Sequence, residues 1–284
     1  MAGKAYRSTA ALSETHDTSQ SAGALAQASS ASARRLRLMV VVPAYNEAKN
    51  IPTVVSELRS LKLPGIDVSF VLIDDGSKDQ TYQVARELGA SIIRLPYNMG
   101  IGMAVQTGFK YALRNHADFV VQVDGDCQHI PTEIEKLLVP SRQEGSDVVI
   151  GSRFKESASE GIESTTFLRW FVGRALSLNI RILTGMQVSD TTSGFRLFNK
   201  RAAQFVAESY PDDYPEVQIL VPLACHGFRV SEVPVKMRPR KSGTSSINWH
   251  RSIYYVFKVV LSTLFDRVRG RGYHPAPVKG EEGV

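Results

Sequence analysis

Apolar and polar positions along this chain fall into two repeating patterns. Leu38-Met39-Val40-Val41-Val42 is an unbroken apolar block ended by Pro43, as expected of a strand buried on both faces. Residues 51–61 then place Ile51, Val54, Val55, Leu58 and Leu61 on one helical face, with Asn50 as cap and Pro52 in the first turn. Strand-like segments follow at 68–73, 91–95, 119–123 and 147–150, and helical ones at 79–88, 102–115 and 132–138. This alternation predicts βα units around a mostly parallel sheet, a doubly wound core over about residues 37–151.

The flanks read differently. The first 33 residues hold ten Ala and seven Ser, with no helical stripe and no apolar run of secretory-signal length. The expected organisation is a disordered tail over 1–35, a folded domain over 36–247, an amphipathic helix over 248–270 and a flexible tail over 271–284. In the last helix Arg251, Tyr255, Lys258, Ser262, Asp266 and Arg269 form a polar stripe, with apolar residues around the rest. Its apolar stretch is too short for the roughly 20 residues of a membrane span. It suits the surface of an anionic membrane, or packing against the domain or another subunit.

At 284 residues, 43% hydrophobic and 22% charged, the composition is that of an ordinary globular protein. Cys127 and Cys225 form no C-x-x-C pair, which excludes a disulfide scaffold or structural zinc cluster and favours a reducing, cytoplasmic setting. The net charge of +6 is uneven: Arg229 to Arg271 carries ten basic residues against Glu232 and Asp266. One basic C-terminal face predicts phosphate or membrane-surface contacts rather than a nucleic-acid coat.

Ligands of doubly wound sheets bind beyond the carboxyl ends of the strands. The segments there are Pro43-Ala44-Tyr45-Asn46-Glu47, Asp74-Asp75-Gly76-Ser77, Asp124-Gly125-Asp126-Cys127-Gln128 and Gly151-Ser152-Arg153. In an extended segment Asp124, Asp126 and Gln128 share one side, a hard-oxygen set suited to Mg²⁺ or Mn²⁺ that keeps sites for a nucleotide's phosphates. Cys127 falls out of phase and is expected to pack, and His129, also out of phase, is read as a polar residue beside Pro131 in preference to a fourth metal ligand. Gly100-Ile101-Gly102 lacks the third glycine of a dinucleotide fingerprint, position 105 being Val105.

These segments, with Tyr97-Asn98-Met99-Gly100-Ile101-Gly102 and Asp190-Thr191-Thr192-Ser193-Gly194-Phe195-Arg196, occur in the order seen in family 2 glycosyltransferases. Over roughly residues 38–250 the chain resembles the dolichyl- and polyprenyl-phosphate sugar synthases of that family. The resemblance implies a GT-A (nucleotide-diphospho-sugar transferase) fold, a nucleotide-sugar donor, a divalent metal and inversion at the anomeric carbon. It assigns Pro43, Tyr45, Glu47, Asp75, Asp124, Gly125 and Asp126 to the donor, and Asp124, Asp126 and Gln128 to the metal. Arg240-Lys241-Ser242-Gly243-Thr244-Ser245 is similar to the family's loop over the pyrophosphate, so Arg240 and Ser245 join the donor site.

The acceptor divides the reading. A lipid monophosphate is already ionised near neutral pH and needs cationic docking groups, for which Arg153, Ser193 and Arg196 are the candidates. A saccharide or other hydroxyl acceptor needs a base, Asp190 or Glu216. The chosen expectation is transfer of a hexose from a UDP- or GDP-sugar to polyprenyl phosphate at the cytoplasmic face of a membrane, with Asp190 and Arg153 as catalytic residues. A non-catalytic nucleotide-binding module gives no reason for the Asp126 and Gln128 spacing.

Overall fold

The structure is a computed structural model and describes residues 34–153, 167–211, 214–239 and 249–270. The terminal stretches 1–33 and 271–284 and the expected pyrophosphate loop, Arg240 and Ser245 included, lie outside the described residues. The chain divides into two units between Arg35 and Leu36, and the unit from Leu36 onward carries the sheet.

The first half runs β1 (Leu36–Ala44), α1 (Ile51–Ser60), β2 (Ile66–Asp74), α2 (Thr81–Glu87), β3 (Ile92–Arg94), α3 (Ile101–Arg114) and β4 (Phe119–Gln122). A 3₁₀ turn (Pro131–Glu133), α4 (Ile134–Gln143), β5 (Val148–Ser152) and α5 (Phe167–Thr184) follow. The remainder is β6 (Arg196–Asn199), α6 (Lys200–Ser209), α7 (Pro215–Gln218), α8 (Leu220–Cys225), β7 (Val230–Pro234) and α9 (Trp249–Gly270). Among the described residues these strands form one sheet in the order β3-β2-β1-β4-β6-β5-β7.

The apolar block of β1 is unbroken because both faces of the strand are covered. Leu38, Val40 and Val42 pack with Ile51, Val54, Val55 and Leu58 of α1 on one side. Met39 and Val41 pack with Val105 and Phe109 of α3 and Val206 of α6 on the other. Phe109 is fully buried and meets Phe198 edge-on at 5.0 Å. Its truncation to Ala is the kind of core deletion that costs about 3–5 kcal/mol.

Three sequence expectations need correction. The sheet does not end near residue 151, because β6 runs antiparallel between β4 and β5 and β7 extends the sheet beside β5. A four-residue strand with one apolar residue per face, Leu197 and Phe198, is too short to announce itself by periodicity. Asn50 is not a side-chain cap; its own backbone is helical and its amide instead donates to Glu47 Oε2 at 2.6 Å. Helix α4 continues through Pro140 to Gln143, with the Pro140 carbonyl accepting from Glu144 and Ser146.

Helix α9 turns polar side chains toward the domain. Gln218 donates to Ser262 Oγ at 2.7 Å, Asn179 of α5 donates to Thr263 Oγ1 at 2.8 Å, and Lys258 lies 5.4 Å over the Tyr214 ring. Those polar groups therefore face protein, together with buried Val259. Phe257, Leu261, Leu264, Phe265 and Val268, at helical spacing, face outward. Leu178 and Ile182 of the adjoining α5 are exposed as well. No described helix is long and apolar enough to cross a membrane.

Candidate active site

The carboxyl ends of β1, β2 and β4 lie side by side, because Ala44 pairs with Asp74 and Val41 with Gln122. The loops leaving β1 and β2 are joined by their backbones. Asn46 N–H donates to Ser77 Oγ at 2.9 Å, Glu47 N–H to Thr81 Oγ1 at 2.8 Å, and Lys78 N–H to Asn46 Oδ1 at 2.8 Å. Asn46 takes a left-handed φ of 57°, which its side chain tolerates. Gly76 is left-handed too, and a Cβ there would lie 2.4 Å from the Tyr97 carbonyl carbon, so only glycine fits.

Asp75 is buried and accepts from Met99 N–H at 2.7 Å and Gly100 N–H at 2.9 Å, at the start of α3. The glycine turn that invites a dinucleotide reading thus holds a carboxylate of the protein itself. Above it lies a cleft of about 370 Å³. Pro43, Tyr45, Glu47, Asp75, Asp124, Gly125 and Asp126 all line it, beside Asn98 and the first turn of α3.

Beyond β4 the chain does not stay extended. Cys127 has a φ of 64° and buries its thiol, so residues 124–128 make a turn rather than one face of a strand. Asp126 accepts from the Gln128 backbone at 3.0 Å and from its side-chain amide, which makes Gln128 a support for that carboxylate. Asp124, 35% exposed, accepts from Gln122 Nε2 at 3.2 Å, and a Cβ on Gly194 would lie 3.2 Å from one of its oxygens.

His129, read from the sequence as a polar residue beside Pro131, is a buried support of the same carboxylate. Its Nδ1 accepts from Asp124 N–H at 3.0 Å, its Nε2 lies 3.7 Å from Asp124 Oδ2, and its ring stacks on Phe195 at 4.8 Å. With Nδ1 accepting, the neutral ring carries its proton on Nε2, toward the carboxylate. Among the described residues no three His, Cys, Asp or Glu groups form a closed cation cage. Two cleft carboxylates, Asp124 and Asp126, fit a hard cation whose other ligands come from solvent or a bound phosphate.

The opposite rim is built from charge pairs. Arg153 donates to Asp190 from Nε at 2.8 Å and Nη2 at 2.9 Å, and also from Nη2 to Thr192 Oγ1 at 3.0 Å. The guanidinium is 43% exposed, whereas the carboxylate beneath it is 0% exposed. Its hydrogen bonds to Asp190, with the fields of Asp190 and Asp124, push the Arg153 pKa up. Both Asp190 oxygens thus accept from the Arg153 guanidinium.

Two expected docking groups also change role. Ser193 is buried and donates to the Gly151 carbonyl at 2.7 Å. Arg196 is fully buried, donating to the carbonyls of Ser193 and Thr191, each at 2.8 Å, so it braces the loop from within. Among the described residues, Gln122 Oε1, Thr191 Oγ1, Arg196 Nη1 and Tyr210 Oη in this region are buried and meet no hydrogen-bond partner. Burial, with the repulsion of Asp124, raises the Glu216 pKa against the opposing attraction of Arg196.

The mostly parallel sheet with acidic loops gathered at its carboxyl edge is the arrangement of the GT-A fold. Residues 39–206 match glycosyl transferase family 2. The chain belongs to glycosyl transferase family 2 and is a glycosyltransferase. It is 27% identical to the polyprenol monophosphomannose synthase of Mycolicibacterium smegmatis over 82% of this chain and 91% of that one. It is 30% identical to the UDP-N-acetylglucosamine–dolichyl-phosphate N-acetylglucosaminyltransferase of Methanococcus voltae over 70% and 84%. The fold is similar to that of glucosyl-3-phosphoglycerate synthase from Mycobacterium tuberculosis, solved with Mn²⁺, UDP and phosphoglyceric acid. That likeness has a TM-score of 0.62 at 22% identity and covers 83% and 79% of the two chains.

Proposed function

We propose that this enzyme moves a hexose from a nucleoside-diphosphate sugar to a polyprenyl phosphate at the cytoplasmic face of a membrane. The observation that carries the reading is the part-exposed Arg153 side chain fixed on buried Asp190 within the field of the cleft carboxylate Asp124. A rim offering a cation, with its nearest carboxylate already occupied, suits an anionic acceptor. A phosphate monoester needs no base, because its second pKa is about 6. Two relatives whose names specify polyprenol or dolichyl phosphate support the same acceptor class.

On this reading Pro43, Tyr45, Glu47 and Asp75 hold the nucleoside and Gly125 lets the backbone approach it. Asp124 and Asp126 hold a divalent cation, with Gln128 orienting Asp126. When bound, that cation neutralises charge developing on the departing diphosphate. Arg153 orients the acceptor phosphate for attack on the anomeric carbon as the bond to the nucleoside diphosphate breaks. The outward apolar stripe of α9, with Leu178, Ile182 and the exposed Arg174 and Arg181 of α5, supports docking on anionic lipid. A hydroxyl acceptor served by Glu216 is the second reading, favoured by the raised proton affinity of that group beside the cleft.

Transfer of labelled sugar to polyprenyl phosphate, compared with saccharide acceptors, tests the proposal. Label found only on saccharide would overturn it. A thermal-shift panel of UDP, GDP and their sugars with and without Mn²⁺ identifies the donor, since a ligand bound only by the folded state raises its melting temperature. Loss of liposome flotation in F257D/F265D tests the membrane face.

A further inference from the structure

The contacts on the Arg153 rim extend to a residue that no motif singles out. Glu232 sits on β7 opposite Ile150 of β5, the strand whose end delivers Arg153. Its Oε1 accepts from Ser189 Oγ at 2.8 Å and from Asp190 N–H at 2.8 Å, and its Oε2 accepts from Ser189 N–H at 3.0 Å. One carboxylate thus holds the backbone of two successive residues, the second of which is Asp190.

Asp190 in turn holds Arg153 through two parallel hydrogen bonds and a third to the Arg153 backbone N–H at 3.2 Å. The geometry points to Glu232 as a positioning residue: by fixing residues 189–190 it sets where the Arg153 guanidinium meets the acceptor's phosphate. This rests on the reading of Arg153 as the acceptor's cation. The physical case is one of preorganisation. A long arginine side chain loses rotamer entropy whenever it docks an anion, and a carboxylate held from behind removes most of that loss beforehand. The residues that do this must themselves be fixed, and Asp190 rides on a loop rather than on a strand, so its orientation depends on what grips that loop.

Initial rates of E232Q, R153M and the double variant, with acceptor and donor varied separately, test this alongside thermal midpoints. R153M is expected to raise the KM for polyprenyl phosphate most. E232Q is expected to raise it about tenfold with the donor KM within about twofold, and to add little on top of R153M, since groups acting through one another are non-additive. E232D, which keeps the charge, is expected to recover part of the loss.

An unchanged acceptor KM in E232Q beside a raised one in R153M would overturn the positioning role alone. So would effects that multiply in the double variant, or equal rises in both KM values with a lowered thermal midpoint. An unchanged acceptor KM in R153M would instead overturn the reading of Arg153. If E232Q does not fold, Ser189→Ala, which removes one of the Glu232 contacts, is expected to shift the acceptor KM about two- to threefold. No shift there would also defeat the role.

Discussion

The two rims of the cleft hold their side chains by different means. Around β1 and β2 backbone donors do the holding: Asp75 rests on two amides at the start of α3, and Asn46 and Glu47 are tied by their own N–H groups to hydroxyls of the neighbouring loop. Around β5, β6 and β7 ionised side chains do it, as in the Arg153–Asp190 pair, Glu232 and fully buried Arg196. Amide donors do not titrate and are indifferent to salt, whereas a charge network responds to pH and to the loss of any member. One rim is a fixed cradle and the other is an adjustable clamp.

The largest effect should come from breaking the cradle's chemistry without disturbing its shape. Asp126→Ala removes a cleft carboxylate whose described partner is its neighbour Gln128. Transfer measured with labelled donor is expected to fall at least about 10³-fold, because a cation site on the leaving group is lost. The melting temperature should stay nearly constant. Retained transfer would show that the cleft carboxylates take no part in the reaction.

The same contrast explains what the sequence disclosed. Pro43 to Glu47, Asp74 to Ser77 and Asp124 to Gln128 are contiguous runs at strand ends, and a contiguous run placed by a rule about sheet edges is visible in one dimension. The residues expected at the donor from these runs all line one cleft, whereas Gln128, expected at the metal, is not among its lining residues. The other rim was legible only as a list of polar residues. Whether Arg196 points to solvent or into the core depends on β6 pairing antiparallel with β4, and a four-residue strand gives no such signal. Whether Asp190 is a base or a partner depends on Arg153, 37 positions away. The contact of His129 with Asp124 has no periodic signal, because β4 ends at Gln122 and the chain turns between the two residues.

Next in size is a break in the clamp. Asp190→Asn removes the charge beneath Arg153 while keeping the volume. Severing a buried pair costs about 3–5 kcal/mol, but the Arg153 side chain can return to water, so about 1–2 kcal/mol is the expected loss in denaturant titration. Activity toward the lipid phosphate should fall, and added salt should narrow the gap between variant and parent. Increased activity on a saccharide acceptor would instead favour a carboxylate elsewhere, Glu216 first, as the functional base.

Acidic groups outside the donor rim also give the protein two opposed responses to pH. Burial alone would raise the Asp147 pKa, but hydrogen bonds from Arg201, the Arg229 backbone and Asn199 outweigh it and hold it below the ordinary 3.8. The unfolded chain then binds the proton more readily, so this stabilisation is present above pH 3.8 and is lost as pH falls through the lower folded value. Glu216 has the reverse sign. Its raised folded pKa makes the folded chain bind the proton more tightly, so stability falls as pH rises from 4.5 through the folded value. Melting curves against pH should therefore lose the acid slope in Asp147→Asn and the higher slope in Glu216→Gln. A profile unaltered by either change would contradict the hydrogen bonding assigned to Asp147 and the burial assigned to Glu216.

The smallest effect probes the core behind the clamp. Tyr210 Oη is buried without a partner, in the same region as the unpartnered Nη1 of Arg196, and the ring stacks on Phe109 at 6.4 Å. Tyr210→Phe keeps the ring and deletes only the hydroxyl. An unsatisfied buried hydroxyl costs about 1–3 kcal/mol, so its removal should stabilise the fold by about 1 kcal/mol if nothing meets it. A loss of stability of similar size would mean that an ordered water joins the hydroxyl to Arg196, since removing one member of a satisfied buried network leaves the other exposed to the same penalty. Thermal melting of this one variant, with the acceptor KM measured alongside, therefore decides whether the clamp is backed by dry packing or by a hydrated polar chamber that runs from Tyr210 through Arg196 and Gln122 to Asp124.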